Sequence, residues 1–183
     1  EGLTQPEFLL PIQKGAAWSF TGGPHPAWGD GTPWAALDFA PPGSPMGCNI
    51  SGDWATAITD GWVVRSEDGS VVQDLDGDGC EQTGWAILYL HISEWERVQE
   101  GSFLSAGDLI GHPSCDGGVS YGTHLHIARK YNGEWIDAAG DIPFVMSGFQ
   151  PVSDGIAYNG FLVNNEKSIE ACGYYTPESL IQH

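Results

Sequence analysis

Gly122-Thr123-His124-Leu125-His126-Ile127-Ala128-Arg129 is a short apolar run carrying two histidines at positions i and i+2. In a β-strand successive side chains point to opposite faces, so His124 and His126 share one face, about 6–7 Å apart, with Leu125 and Ile127 on the other. The glycine-rich loop Asp116-Gly117-Gly118-Val119-Ser120-Tyr121-Gly122 delivers the run, and Asn132-Gly133 follows it as a hairpin turn. Two imidazoles on one face invite a metal, because neutral imidazole is a common zinc ligand. An incidental pair at a surface fits the same spacing, so the rest of the chain must decide.

Gly84-Trp85-Ala86-Ile87-Leu88-Tyr89-Leu90-His91-Ile92 is a second continuous run of β-formers, and a histidine stands at its end. Trp54–Ile58, Trp62–Ser66 and Ser70–Leu75 read as strands separated by Asp60-Gly61 and Asp68-Gly69, the strongest short-range hairpin cue. Phe103–Gly111 supplies two short strands about a tight turn, and Trp34–Ala40 another strand, in which Asp38 sits amid apolar residues. Aspartate is depleted in strand interiors, so this carboxylate wants a partner or else braces a turn. His25 lies between Pro24 and Pro26 in a run of turn residues, Gly22 to Pro33, which predicts a stiff loop. His112, beside Pro113, is read as structural. Residues 3–18 form an extended lead-in along a sheet edge, and beyond Met146 the pattern loosens, with a candidate strand in 156–163.

A chain of 183 residues suits one domain, and its 26 glycines, 12 prolines and 8 tryptophans describe a turn-rich β protein. We expect a mainly β fold: a twisted antiparallel sheet of hybrid, barrel-like form, with long loops walling a groove. No apolar run reaches 18 residues, which argues against a membrane-spanning helix and against membrane insertion. A net charge of −18 argues against nucleic acid, whose binding relies on clustered cations.

Cys48, Cys80, Cys115 and Cys172 contain no C-x-x-C pair and suit two disulfides, with three pairings open, better than a thiolate zinc site; four buried thiols are the other reading. Disulfides imply an oxidising compartment. With no signal-like segment at Glu1-Gly2-Leu3-Thr4, the chain is read as the mature form of a secreted protein, extracellular or periplasmic, without signal or propeptide. Asp74, Asp76 and Asp78, followed by Gly79, match the first half of a calcium loop, which makes Ca2+ a candidate ligand that Glu81 would close. Position 12 is Trp85 instead of glutamate, so an acidic hairpin tip without an ion fits as well.

His25, Asp38, His91 and the His124/His126 pair supply enough N/O ligands for a catalytic zinc site, which needs three and an open position. The order His25, Asp38, His91, then Gly-Thr-His124-Leu-His126 resembles the zinc endopeptidases of the lysostaphin and LasA type, including LytM and the β-lytic endopeptidases. The resemblance covers roughly residues 20–137, with Ala106-Gly107-Asp108-Leu109-Ile110-Gly111 and Ser120-Tyr121-Gly122 among its smaller cues. The long His25–Asp38 interval and Cys115 resemble the LasA branch. It implies one zinc held by His25, Asp38 and His126, with His91 and His124 as free catalytic imidazoles. It also implies a peptidoglycan or glycine-rich peptide substrate. No H-E-x-x-H motif is present to supply a carboxylate base, so the histidines must serve. The family's tyrosine near the lone histidine is missing, since Leu90 precedes His91 and Tyr89 faces the other side; Tyr158 is the positional counterpart of a later tyrosine.

On this reading residues 1–183 form a single catalytic domain, its core at 20–137 and residues 138–183 an extension packed on it. A monomer is expected, with disulfides Cys80–Cys115 and Cys48–Cys172. The rival readings are a catalytically inactive wall-binding or scaffold module of the same fold and a calcium-stabilised β module.

Overall fold

In the computed structural model, which describes residues 2–43, 47–173 and 176–183, the chain forms fourteen strands and one 3-10 turn, Pro177–Ser179, with no α-helix among the described residues. The strands are β1 (Ala17–His25), β2 (Ala36–Ala40), β3 (Ala55–Thr56), β4 (Gly61–Glu67), β5 (Ser70–Asp74), β6 (Trp85–Leu90) and β7 (Phe103–Leu104). They continue with β8 (Leu109–Gly111), β9 (Leu125–Tyr131), β10 (Glu134–Trp135), β11 (Gln150–Val152), β12 (Phe161–Val163), β13 (Ser168–Glu170) and β14 (Leu180–Gln182). The main sheet runs β14-β1-β2-β9-β6-β5-β4-β7, with β10 folded back on β9 through Asn132-Gly133. β11-β12-β13 and β3-β8 make two smaller sheets, and every strand pairing is antiparallel.

Alternation divides the central strands as the sequence requires. Leu37 and Phe39 of β2, Leu125 and Ile127 of β9, and Ile87 and Tyr89 of β6 enter one large core with Phe8, Leu10, Ile12 and Phe144. Ala36 and Ala128 lie on the opposite face in a smaller cluster. The lead-in runs beside β3, where Leu9 donates to Ile58 O and Ile12 bridges Ala55. Tyr89 points into the core, donating to Gln73 Oε1 at 2.9 Å and accepting from the Ile58 amide, and burial raises its phenol. The Arg129 guanidinium is fully buried, donates to Gln5 Oε1 and Ile142 O, and is pushed down to about 9 by burial.

Two expectations are corrected. His25 is the last residue of β1, and not part of a turn-rich loop. The glycines ahead of it serve close approach: a Cβ on Gly22 would lie 2.6 Å from Asp38 Oδ2, and one on Gly23 would overlap the Asn159 carbonyl. The disulfide joins Cys48 to Cys115, while Cys80 and Cys172 are free, so neither expected pairing forms. Widely spaced cysteines leave pairing to tertiary contact, and here the loop at 47–49 is held on 122–123 by Thr123 and its neighbours.

The bridge closes a sequence separation of 67 residues. Replacing both cysteines with serine is expected to lower unfolding free energy by about 2–4 kcal/mol, measured by denaturant titration. A loss below about 0.5 kcal/mol would contradict this.

Candidate metal centre

The centre forms where three strands lie side by side. Asp38 of β2 is in register with His126 of β9 on one side and with Gly22 of β1 on the other. β1 then ends at His25, and the three side chains gather in the sheet, all buried: His25 is 1% exposed, Asp38 7% and His126 7%. His25 Nε2 lies 3.1 Å from His126 Nδ1 and 3.3 Å from Asp38 Oδ1, and His126 Nδ1 lies 3.2 Å from Asp38 Oδ1.

Backbone carbonyls decide which nitrogens carry protons. His25 Nδ1 donates to Gly23 O at 2.8 Å, and His126 Nε2 donates to Ala27 O at 2.9 Å. In the neutral rings the remaining nitrogens are therefore lone pairs, both facing Asp38 Oδ1, a buried oxygen without a conventional hydrogen-bond donor. Three acceptors within 3.3 Å of one another repel unless a cation lies between them. A tetrahedral ion with bonds of about 2.0–2.1 Å separates its ligand atoms by about 3.3–3.4 Å. The donor set of two imidazoles and one carboxylate, each ring tied to a carbonyl, thus fits a zinc-like ion. Burial works against charge on Asp38, but His25 and His124 outweigh it and hold the carboxyl well below its usual range. Burial also opposes a charged His25 ring, yet the nearby charge of Asp38 and the Gly23 carbonyl raise it.

Two more histidines border the triad. β6 ends at Leu90, opposite His126, and the chain turns at His91, whose φ of 66° is unusual for a residue with a side chain. His91 Nδ1 donates to Asp116 O at 3.0 Å, and burial, with the charge of His124, pushes the ring down to about 4. His124 Nδ1 donates to Gly122 O at 2.7 Å, its side chain is 18% exposed, and its Nε2 lies 3.7 Å from Asp38 Oδ1. The two rings are 4.5 Å apart between centroids. Ser114 ties their backbones together, donating to His91 O and accepting from the His124 amide.

All five singled-out residues therefore meet, although His25 arrives on a strand. Less legible were the four carbonyls of Gly23, Ala27, Asp116 and Gly122, which carry no side-chain signal, and Ser120, whose Oγ lies 3.3 Å from His124 Nδ1. Tyr158, assigned by position alone, stacks on His25 with ring centroids 4.2 Å apart, and its own amide bonds Pro24 O. His112 lies apart from the centre: it is held between Trp54 and Trp95 and donates to Asp53 O.

Asp74, Asp76 and Asp78 also converge, but they accept from the Asp76, Gly79, Asp78 and Cys80 backbone amides of their own loop. Glu81, expected to close a calcium site, instead binds Lys130 at 2.7 Å and Arg65 at 3.2 Å. The loop is an acidic hairpin tip satisfied from within, and the calcium reading gains no support.

Residues 43–138 match the model of Peptidase family M23. That span contains His91, His124 and His126 and begins after His25 and Asp38. The M23 metalloprotease pseudoalterin from the deep sea is similar over 92% of this chain and 96% of its own, at 23% identity and a TM-score of 0.74. A zinc-containing peptidase from Vibrio cholerae is similar over 76% of this chain and 41% of its own, at 22% identity and a TM-score of 0.51. The catalytic domain of the antimicrobial peptidase lysostaphin from Staphylococcus simulans follows, with 66% and 87% covered, 25% identity and a TM-score of 0.46. Among curated proteins none matches.

Proposed function

The chain belongs to peptidase family M23, and from that membership we propose that it is a zinc-dependent endopeptidase that hydrolyses peptide bonds in bacterial peptidoglycan cross-links, glycine-rich segments included. One observation carries the proposal: two imidazole lone pairs and an unpartnered carboxylate oxygen converge within 3.3 Å, beside two further imidazoles whose Nε2 atoms are free.

His25 through Nε2, His126 through Nδ1 and Asp38 through Oδ1 would hold the ion. Bound zinc supplies a Lewis acid that polarises the scissile carbonyl and acidifies water. The remaining steps belong to the chain. His91 and His124, each with Nδ1 committed to a backbone carbonyl, present Nε2 as the available proton acceptor. As a pair they take the proton released when water attacks, and return one to the departing amine. An imidazolium among them would also stabilise negative charge developing on the carbonyl oxygen. Tyr158, from the C-terminal part of the chain, stacks on His25 and covers that side of the proposed metal site. The Cys48–Cys115 bridge supports a secreted location, extracellular or periplasmic.

The test is a digest of purified peptidoglycan. New free amino groups without new reducing ends are expected, and a metal chelator should abolish their release. New reducing ends would mean cleavage of glycan. Binding without any cleavage, across walls of different cross-link chemistry, would favour an inactive wall-binding module.

A further inference from the structure

We infer that the Asp68-Gly69 turn at the tip of the β4–β5 hairpin is a positioning element for His91, and that Gly69 is its critical residue. The inference rests on the assignment of His91 as a catalytic imidazole.

The turn touches His91 through two routes. Gly69 O accepts from the amide of Ile92 at 2.9 Å, which fixes the backbone directly after His91. The Cα face of Gly69 lies against the Asp116-Gly117 peptide, whose Asp116 O is the acceptor that holds His91 Nδ1 at 3.0 Å. No side chain separates the two turns. A Cβ on Gly69 would overlap the Asp116 carbonyl carbon and oxygen and lie 2.6 Å from Gly117 N; a Cβ on Gly117 would overlap Asp68 O. Both glycines also sit at positive φ, 74° and 73°.

His91 needs such bracing. A non-glycine residue in the left-handed region is strained and persists only where its surroundings over-determine it. Here the surroundings are Ser114, which binds His91 O at 2.7 Å, and the two contacts that pass through the Asp68-Gly69 turn. A methyl group on Gly69 must push the Asp116 carbonyl aside, and the His91 ring moves with its acceptor. Misplacement by about 1 Å at a reacting group can cost roughly 10²-fold in rate.

Gly107 is the matched control. It occupies the turn between β7 and β8 at φ 91°, and a Cβ there would meet nothing within 4 Å. Gly107→Ala carries the same kind of turn strain without the contact.

The experiment compares Gly69→Ala, Gly107→Ala and His91→Ala in the full zinc-loaded chain, on a soluble cross-linked peptide released from peptidoglycan. Gly69→Ala is expected to lose about 10²-fold in kcat with KM nearly unchanged, zinc content unchanged and the His91 Nδ1–H resonance shifted or lost. Gly107→Ala should keep wild-type kcat and that resonance. Wild-type kcat and an unmoved resonance in Gly69→Ala, with His91→Ala inactive, would overturn the inference. Full activity of His91→Ala would instead overturn the assignment of His91. Should Gly69→Ala fail to fold, hydrogen exchange in the unmodified protein decides. The His91 Nδ1–H and Ile92 amide protons are expected to exchange slowly through one common opening, and a freely exchanging His91 proton beside a protected Ile92 amide would refute the brace.

Discussion

Replacing Asp38 with alanine is expected to leave the protein without its zinc and to abolish hydrolysis. Asp38 contributes the one carboxylate in the triad and lies at its centre, with His25 Nε2 and His126 Nδ1 3.3 and 3.2 Å from the same oxygen. Without it two neutral imidazoles remain, and zinc loses both a ligand and the negative charge that offsets its own. Even an outer-shell partner is worth about 10–100-fold in metal affinity, so removal of a ligand should exceed about 100-fold. Competition with a chromophoric chelator measures this. Retention of wild-type affinity would mean that the ion, if any, is held elsewhere. Asp38→Asn is the gentler companion: it preserves volume against Gly22, where a Cβ would not fit, and should also bind zinc poorly because the charge is gone.

His124→Ala and His91→Ala should behave in the opposite way, each keeping one zinc and losing kcat by roughly 10²–10⁴-fold, the range for a positioned acid or base. The separation follows from geometry. Neither ring belongs to the triad of converging lone pairs, and both have Nδ1 tied to a carbonyl, of Asp116 and Gly122, so that Nε2 alone is free. Because the two rings act on one proton inventory, the double variant should cost little more than the worse single one. Zinc loss in either single variant would place that histidine among the ligands. A fall in kcat/KM confined to KM would make it a substrate contact.

Much of this was legible because local rules and global fold agree. Asp68-Gly69 and Asn132-Gly133 placed two hairpin turns, whereas the strand before Asp60-Gly61 pairs with β8 instead of β4, and alternation put Leu125 and Ile127 in the core with His126 on the opposite face. His91, His124, Asp38 and His126 stood out because polar residues in or at the end of apolar strands demand a reason. What escaped has a common cause. Gly22 and Gly23 read as turn punctuation, since a sequence cannot distinguish a glycine that bends the chain from one that lets another chain segment approach. The disulfide partner of Cys48 depended on the 47–49 loop lying against Thr123, a contact far apart in sequence. The acidic run at Asp74–Asp78 looked like a cation loop because carboxylates that cap their own backbone have the same spacing as carboxylates that bind an ion.

One zinc ion, held by His25, Asp38 and His126, should be required for peptide-bond hydrolysis, and this requirement is the heart of the proposed function. It is tested most directly by titrating zinc into metal-depleted protein while counting amino groups released from peptidoglycan. No release is expected without metal, then a linear rise that ends at one equivalent of zinc per chain, with Asp38→Ala flat throughout. Release by the metal-free protein, or a wild-type protein that takes up one zinc and cleaves no peptide bond on any wall, would contradict it.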